Sequence, residues 1–428
     1  MSPAACRLVL FLAPLVGAHA AHAAPPAASS QPAAAPASQA AVDPGLDREL
    51  AAAVAADAAA NAQKRGAAST PAATGSRGFQ SLNPDMSVIG DLTGGYYQRT
   101  PRSLAGDDPA RTGINLQEVE LAFSAVVDPY FRADVYLTIP NLEGIEVEEA
   151  ALTTLSLPGS LQLRAGMLRA TLGRQNTQHL HTQDFTRRPA LNALLLGPDG
   201  FRAPGAELSW LVPLPVYCMV YAGVYSVFEP RDVGFAEPRP TFGGGADKDM
   251  TYLGALKVFF PLTERLSLFA GGSFATGKAP AVVDGLAGVF EPTVRSYLYG
   301  GDLYLKWAPP NVAESYFTIA WQTEWFGRSL AGERGSGALY SQVVMRVARR
   351  WQLGVRGEVL GLPRGALFGR RGYVAALAVT WNLTEFSRIR VSGEGHFGDR
   401  TTDGTVKNFG VGLVQLEFSM GAHGAHQY

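Results

Sequence analysis

The chain has 428 residues, 47% of them hydrophobic and only 17% charged, with a formal net charge of -1. That balance excludes an overall electrostatic field for nucleic acid or an anionic membrane surface, so no nucleic-acid partner is expected. After the N-terminus no run of about 18 or more apolar residues occurs, which excludes a transmembrane helix but not a transmembrane barrel, whose strands are only half apolar.

Arg7 precedes LVLFLAPLVG, and AHAAHAA follows, a charged start, an apolar stretch and small-x-small cleavage options after Ala20 or Ala23. Residues 1–23 therefore read as a signal peptide. Cys6 precedes the apolar stretch, so export would leave Cys218 as the one cysteine and no internal disulfide. Residues 24–85 read as an Ala/Pro-rich linker, with Leu46, Leu50 and Val54 spaced for a short periplasmic helix over 46–66.

From residue 86 to 428 the texture is that of strands. VELAFSAVVDPYFRADVYLTI, at 119–139, alternates apolar and other residues on both sides of Asp128-Pro129-Tyr130. A period of two makes a strand with two unlike faces. Sixteen such segments follow one another: 86–98, 114–127, 131–139, 145–157, 161–170, 205–212, 215–228, 250–260, 265–276, 294–307, 314–327, 338–349, 351–360, 372–383, 386–398 and 408–419. Connections after even-numbered segments are short, whereas those after odd-numbered ones are mostly longer, above all between 171 and 204. Short turns at one end and long loops at the other predict an all-β fold, a 16-stranded antiparallel transmembrane β-barrel.

One face of that sheet would meet outer-membrane lipid through Val119, Leu121, Phe123, Phe131, Val135 and Leu137, and through like stripes near Trp351 and Trp381. Aromatics near segment ends, among them Tyr96, Tyr97, Tyr130, Trp210, Tyr217, Trp325 and Phe386, fit interfacial girdles. The other face carries Glu118, Glu120, Arg132, Asp134, Glu146, Glu148, Arg164, Arg346, Arg356, Glu358, Arg388, Arg390 and Glu394. Each of these charges would cost about 2–4 kcal/mol at the membrane midplane, so they are expected to line the interior, as pore lining, as bracing ion pairs, or as both.

The segment 170–205 is a constriction-loop candidate, with a helical patch at PALNALLLG and Arg169, Arg174, Arg187, Arg188 and Arg202 in or beside it. His179-Leu180-His181 with Asp184 has residue types suited to metal, and His396, His423 and His426 add to the inventory. No fourth ligand at fixed spacing accompanies them, so hydrogen-bonded loop histidines are the expectation, with no metal and no cofactor. No nucleophile and base pair stands out, so no enzyme is expected.

IEVEEAALTTLSLPGSLQLRAGMLRATLGRQN, residues 145–176, resembles the signature region of the phosphate-selective porin O and P family. LQLRAGMLRATLG is similar to the family's last strand before its constricting loop, with Arg164, Gly166, Arg169 and Gly173 in matching places, and RRPALNALLLG resembles the loop helix that follows. The resemblance is best over 114–212 and implies a trimeric outer-membrane porin of a Gram-negative bacterium. The family's phosphate preference goes with lysine-rich sites, whereas lysine here is confined to Lys64, Lys248, Lys257, Lys278, Lys306 and Lys407. The leading expectation is passive diffusion of small hydrophilic solutes, anions such as phosphate among them. An uptake receptor for a metal or chelate and a closed structural barrel are the alternatives.

Overall fold

A computed structural model describes residues 84–103, 108–109, 111–142, 144–197, 199–227, 241–243, 249–280, 283–284, 289–290, 293–311, 315–331, 333–401 and 404–421. The expected signal peptide, linker and periplasmic helix lie outside these residues, as do His423 and His426.

Sixteen strands close into one antiparallel barrel. The first nine are β1 (Asp85–Tyr97), β2 (Gly113–Val126), β3 (Phe131–Pro140), β4 (Glu146–Thr154), β5 (Leu161–Arg169), β6 (Arg202–Leu211), β7 (Tyr217–Ser226), β8 (Met250–Pro261) and β9 (Leu266–Pro280). A two-stranded ribbon, β10 (Val283–Asp284) and β11 (Val289–Phe290), stands apart from the wall. The wall resumes with β12 (Thr293–Trp307), β13 (Thr318–Leu330), β14 (Ser336–Ala348), β15 (Trp351–Leu360), β16 (Gly372–Asn382), β17 (Ser387–Arg400) and β18 (Val406–Gly421). Every wall strand pairs with its neighbour in sequence, and β1 pairs β18 from Ser87↔Gly421 to Tyr97↔Val411. Closure leaves no edge, which lets a sheet cross hydrocarbon with its backbone groups satisfied. No helix among the described residues is long and apolar enough to cross a membrane.

All sixteen expected segments appear in order, with shifted ends. Arg169 closes β5 and Arg202 opens β6, so both belong to the wall at the neck of the long loop rather than to the loop itself. The short turns are built locally. At the first, the Asp128 side chain accepts hydrogen bonds from the amides of Tyr130 and Phe131, at 2.7 and 2.8 Å. The opposite end is less uniform than expected, since the links at 141–145, 331–335 and 401–405 are only five residues each.

The two faces divide as the alternation demands. Leu377, Val391, Val414 and Val355 are 62%, 52%, 50% and 49% exposed on the outside, while Ala376, Ala378 and Arg390 are buried within. Trp351 and Trp381 stack at 5.9 Å near one rim. Tyr97 departs from the expected girdle: Tyr96 points out, and Tyr97 packs inward against Phe409, Val411 and Leu413.

The apolar core therefore lies inside the cylinder. Residues 170–201 turn into it, and their short helix α1 (Ala190–Leu195) buries all six of its residues. Leu172, Leu191, Leu195 and Phe201 pack with Tyr225, Leu298, Phe326, Tyr340 and Leu360 of the wall. Gly166 is needed where β5 passes β4. Its φ is +135°, and a Cβ there would strike the Ala150 carbonyl oxygen. Gly166→Val should destabilise the barrel by at least about 1–3 kcal/mol, read as a lower midpoint for loss of the heat-modifiable folded band.

Candidate functional site

Two β-bulges shape the inner wall beside the long loop. The register slips between Asp91 and Leu92 against β2, and between Tyr136 and Leu137 against β4. Each slip adds one residue and turns two consecutive side chains inward. Gln117 and Glu118 are both buried as a result, and so are Glu148 and Glu149. Strict alternation hides Gln117 and Glu149, because a bulge leaves no mark in a period of two.

The loop is tied to the wall nearly all the way round. Asn176 closes its neck, donating to the carbonyls of Ala170 and Phe201 and accepting from the Phe201 amide. Thr171 donates to Glu207 of β6 at 2.8 Å. Lys257 of β8 donates to the Gly173 carbonyl at 2.9 Å and pairs with Asp302 of β12 at 2.5 Å. The amides of Arg174 and Gln175 both donate to Glu324 of β13. Farther along, Arg388 and Arg390 of β17 donate to the carbonyls of His181 and Gln183, and Gln117 of β2 donates to Thr186. The Ala190 amide at the start of α1 donates to Glu358 of β15 at 2.7 Å.

Charged side chains complete the attachment. Arg187, buried, donates to Asp108 at 2.9 Å, to Glu394 at 2.7 Å and to the Ser103 carbonyl. Burial works against its charge, but Asp108 and Glu394 outweigh that and hold its pKa well above the usual arginine value. Arg356 donates to the Arg187 carbonyl, pairs with Glu358 and Glu394, and stacks over Phe185. Glu394 also faces His396 at 3.2 Å, and His396 faces Asp399 at 3.0 Å.

A second cluster gathers the loop histidines. His179 Nδ1 lies 3.1 Å from Glu148 Oε2 and 3.4 Å from Glu120 Oε2. His181 Nδ1 lies 3.1 Å from the same Glu120 oxygen. Burial opposes charge on His179, yet Glu148 and Glu120 raise its pKa well above the usual histidine value. Arg169 pairs with Glu148, Arg164 with Glu149 and Arg202 with Glu146. Arg188 is buried beside this group and acts on Glu148 through its charge. Asp184 does not join the histidines. It lies half-buried near Arg390 and Arg388, and desolvation raises its pKa.

The remaining inner-face residues lie toward the short turns and are more open. Arg132 and Asp134 pair at 2.8 Å with Ser124 beside them. Arg346, on β14, and Lys306, on β12, are partly or fully exposed there. Arg174 lies over the Tyr304 ring at 4.0 Å. Several residues essential to this arrangement were not singled out by sequence: Asp108, Glu207, Lys257, Asp302 and Glu324. The four on strands are charges in the middle of alternating runs, and that was the signal available.

A closed antiparallel barrel of sixteen strands, greasy outside, ionic within and crossed by an infolded loop, defines a transmembrane β-barrel. The fold is shared with OprB of Pseudomonas putida (TM-score 0.53, 11% identity, 81% of this chain and 96% of that one). It is likewise shared with an anion-selective porin of Comamonas acidovorans (TM-score 0.52, 10% identity, 79% and 99%). The outer-membrane channel DcaP of Acinetobacter baumannii gives a TM-score of 0.51 at 10% identity over 79% and 97%. No family model matches the chain. An uncharacterized protein of Aquifex aeolicus is 31% identical over 351 residues, 76% of this chain and 72% of that one, and the chain belongs to that protein's family.

Proposed function

We propose that this protein is an outer-membrane porin of a Gram-negative bacterium, a passive channel for small hydrophilic solutes narrowed by residues 170–201. The observation that carries the reading is the division of one closed sheet into an exposed apolar outer face and a charged inner face spanned by a tethered loop. Residues 1–23 would direct export, 24–85 would form a periplasmic tether, and the barrel from residue 86 would span the membrane. Assembly as a trimer follows from the resemblance to the phosphate-selective porins. The reading assigns transport and no catalytic step.

Anions are the favoured solutes, phosphate among them. Deeply buried charges of the interior are neutralised by partners close by, as in Arg187 of the loop with Asp108 of the link after β1 and Glu394 of the wall. Toward the short turns the more open inner face of β12–β14 presents Lys306 and Arg346, and Arg174 of the loop lies over Tyr304 of β12. Cations along a watery path concentrate anions and lower their entry barrier.

Purified protein in planar bilayers should give stepwise conductance, and in a salt gradient the reversal potential should have the sign for anions. The double variant Lys306→Glu, Arg346→Glu should move that potential toward cations. A silent bilayer would defeat the channel reading, and an unchanged potential in the double variant would defeat the assignment of its lining.

A further inference from the structure

The His179 and His181 cluster is built from two sources: a loop that must be held in place, and two wall strands that hold it. One ligand atom each of Glu120, Glu148 and His179 lies within 4.8 Å of the other two, and all three residues are buried. His179 Nδ1 lies 3.4 Å from Glu120 and 3.1 Å from Glu148, and His181 Nδ1 lies 3.1 Å from Glu120 outside that group of three. Ligands about 2.0–2.1 Å from a tetrahedral zinc ion stand about 3.3–3.4 Å apart, so the two His179–carboxylate spacings are close to the edges of such a polyhedron.

The second observation is Glu120 itself. It is 1% exposed, and neither carboxylate oxygen receives a hydrogen bond of good geometry; its close neighbours are the imidazole nitrogens. A buried carboxylate in that state needs a positively charged partner, which is an imidazolium in the metal-free cluster and the metal ion when one binds. The surroundings are arranged to leave the inward atoms available. Arg169 takes Glu148 Oε1, the oxygen away from His179. On the far side of the ring, His179 Nε2 faces Glu149 Oε2 at 3.6 Å, and Arg164 holds the other Glu149 oxygen. A carboxylate behind a metal-binding imidazole is the usual outer-shell orienting device.

We propose that Glu120, Glu148 and His179, with His181 beside Glu120, bind a divalent first-row cation of the zinc type, which fastens the infolded loop to β2 and β4. Two carboxylates and an imidazole, with a second imidazole close by, suit zinc, cobalt or nickel better than calcium or magnesium, which take oxygen ligands. The site is independent of the channel reading, because binding is measured without conductance.

The full-length protein in detergent, stripped with chelator, is titrated with Zn2+ by calorimetry and with Co2+ by visible absorption. The expected result is one saturable site per chain, Co2+ bands of a low-coordinate site, and no competition from excess Mg2+. His179→Asn with His181→Asn should weaken binding by at least about 100-fold, while the barrel keeps its heat-modifiable mobility. If that variant does not fold, the isosteric Glu120→Gln serves, with the same loss expected. Zn2+ should also slow amide exchange over residues 176–186. The absence of saturable binding, or unchanged binding in a folded variant, would overturn the site and leave imidazolium–carboxylate pairs as the tie; binding without slowed exchange would overturn the fastening role.

Discussion

Replacing Arg187 with alanine should free the central part of the infolded loop and raise the single-channel conductance. Arg187 joins the loop to two elements through one buried guanidinium: the link after β1, by Asp108 and the Ser103 carbonyl, and β17, by Glu394. Alanine leaves two buried carboxylates without that cation, and Glu358 stands close enough to Glu394 to add repulsion. Breaking one partner out of a buried ion pair costs about 3–5 kcal/mol. The hydrogen bonds of the wall strands do not depend on Arg187, so the cost should fall on the loop's docking. The expected result is a barrel that still resists unfolding and still runs as a heat-modifiable band, with a larger open conductance and faster amide exchange over residues 176–196. Lysine at this position should not restore the parent behaviour, because a point charge cannot serve Asp108 and Glu394 in the planar two-sided way of a guanidinium. Parent conductance in a folded Arg187→Ala protein would refute the role given to the loop in narrowing the channel.

Leu377→Arg tests the outer face. Leu377 sits at the middle of β16 and is 62% exposed, between Val355 of β15 and Gly393 of β17. An arginine facing lipid near the midplane costs about 2–4 kcal/mol. Folding into lipid vesicles, followed through denaturant titration, should lose stability by that amount. Gln352→Arg, on the inner face of the adjacent strand, should cost less than about 1 kcal/mol. Equal losses would mean that the two faces do not separate lipid from water.

Much of this architecture is legible in the sequence. The stripe Val119, Leu121, Phe123 against Glu118 and Glu120 carries a period of two that only a two-faced sheet satisfies, and the number of buried charges requires a closed one. The short turns, with Asp128-Pro129 and Pro158-Gly159, mark hairpins by local chemistry. The helix at PALNALLLG is local as well. All of these are properties of residues near each other in the chain.

Which charges meet is a different kind of fact. Arg187 reaches Glu394 across 207 positions, and the amide of Arg174 reaches Glu324 across 150. Such pairs depend on how far strands stagger and on where the loop enters the lumen. The two bulges that bring Gln117 and Glu149 inward are set by neighbouring strands rather than by their own residues. Sequence alone determined that a closed, greasy-walled cylinder with an ionic interior and one long infolding segment should form, because periodicity and turn chemistry act over a few residues. Only the tertiary structure decided that Glu120 and Glu148 converge on His179 and His181, because closure and register bring the walls together over distances that no local pattern encodes.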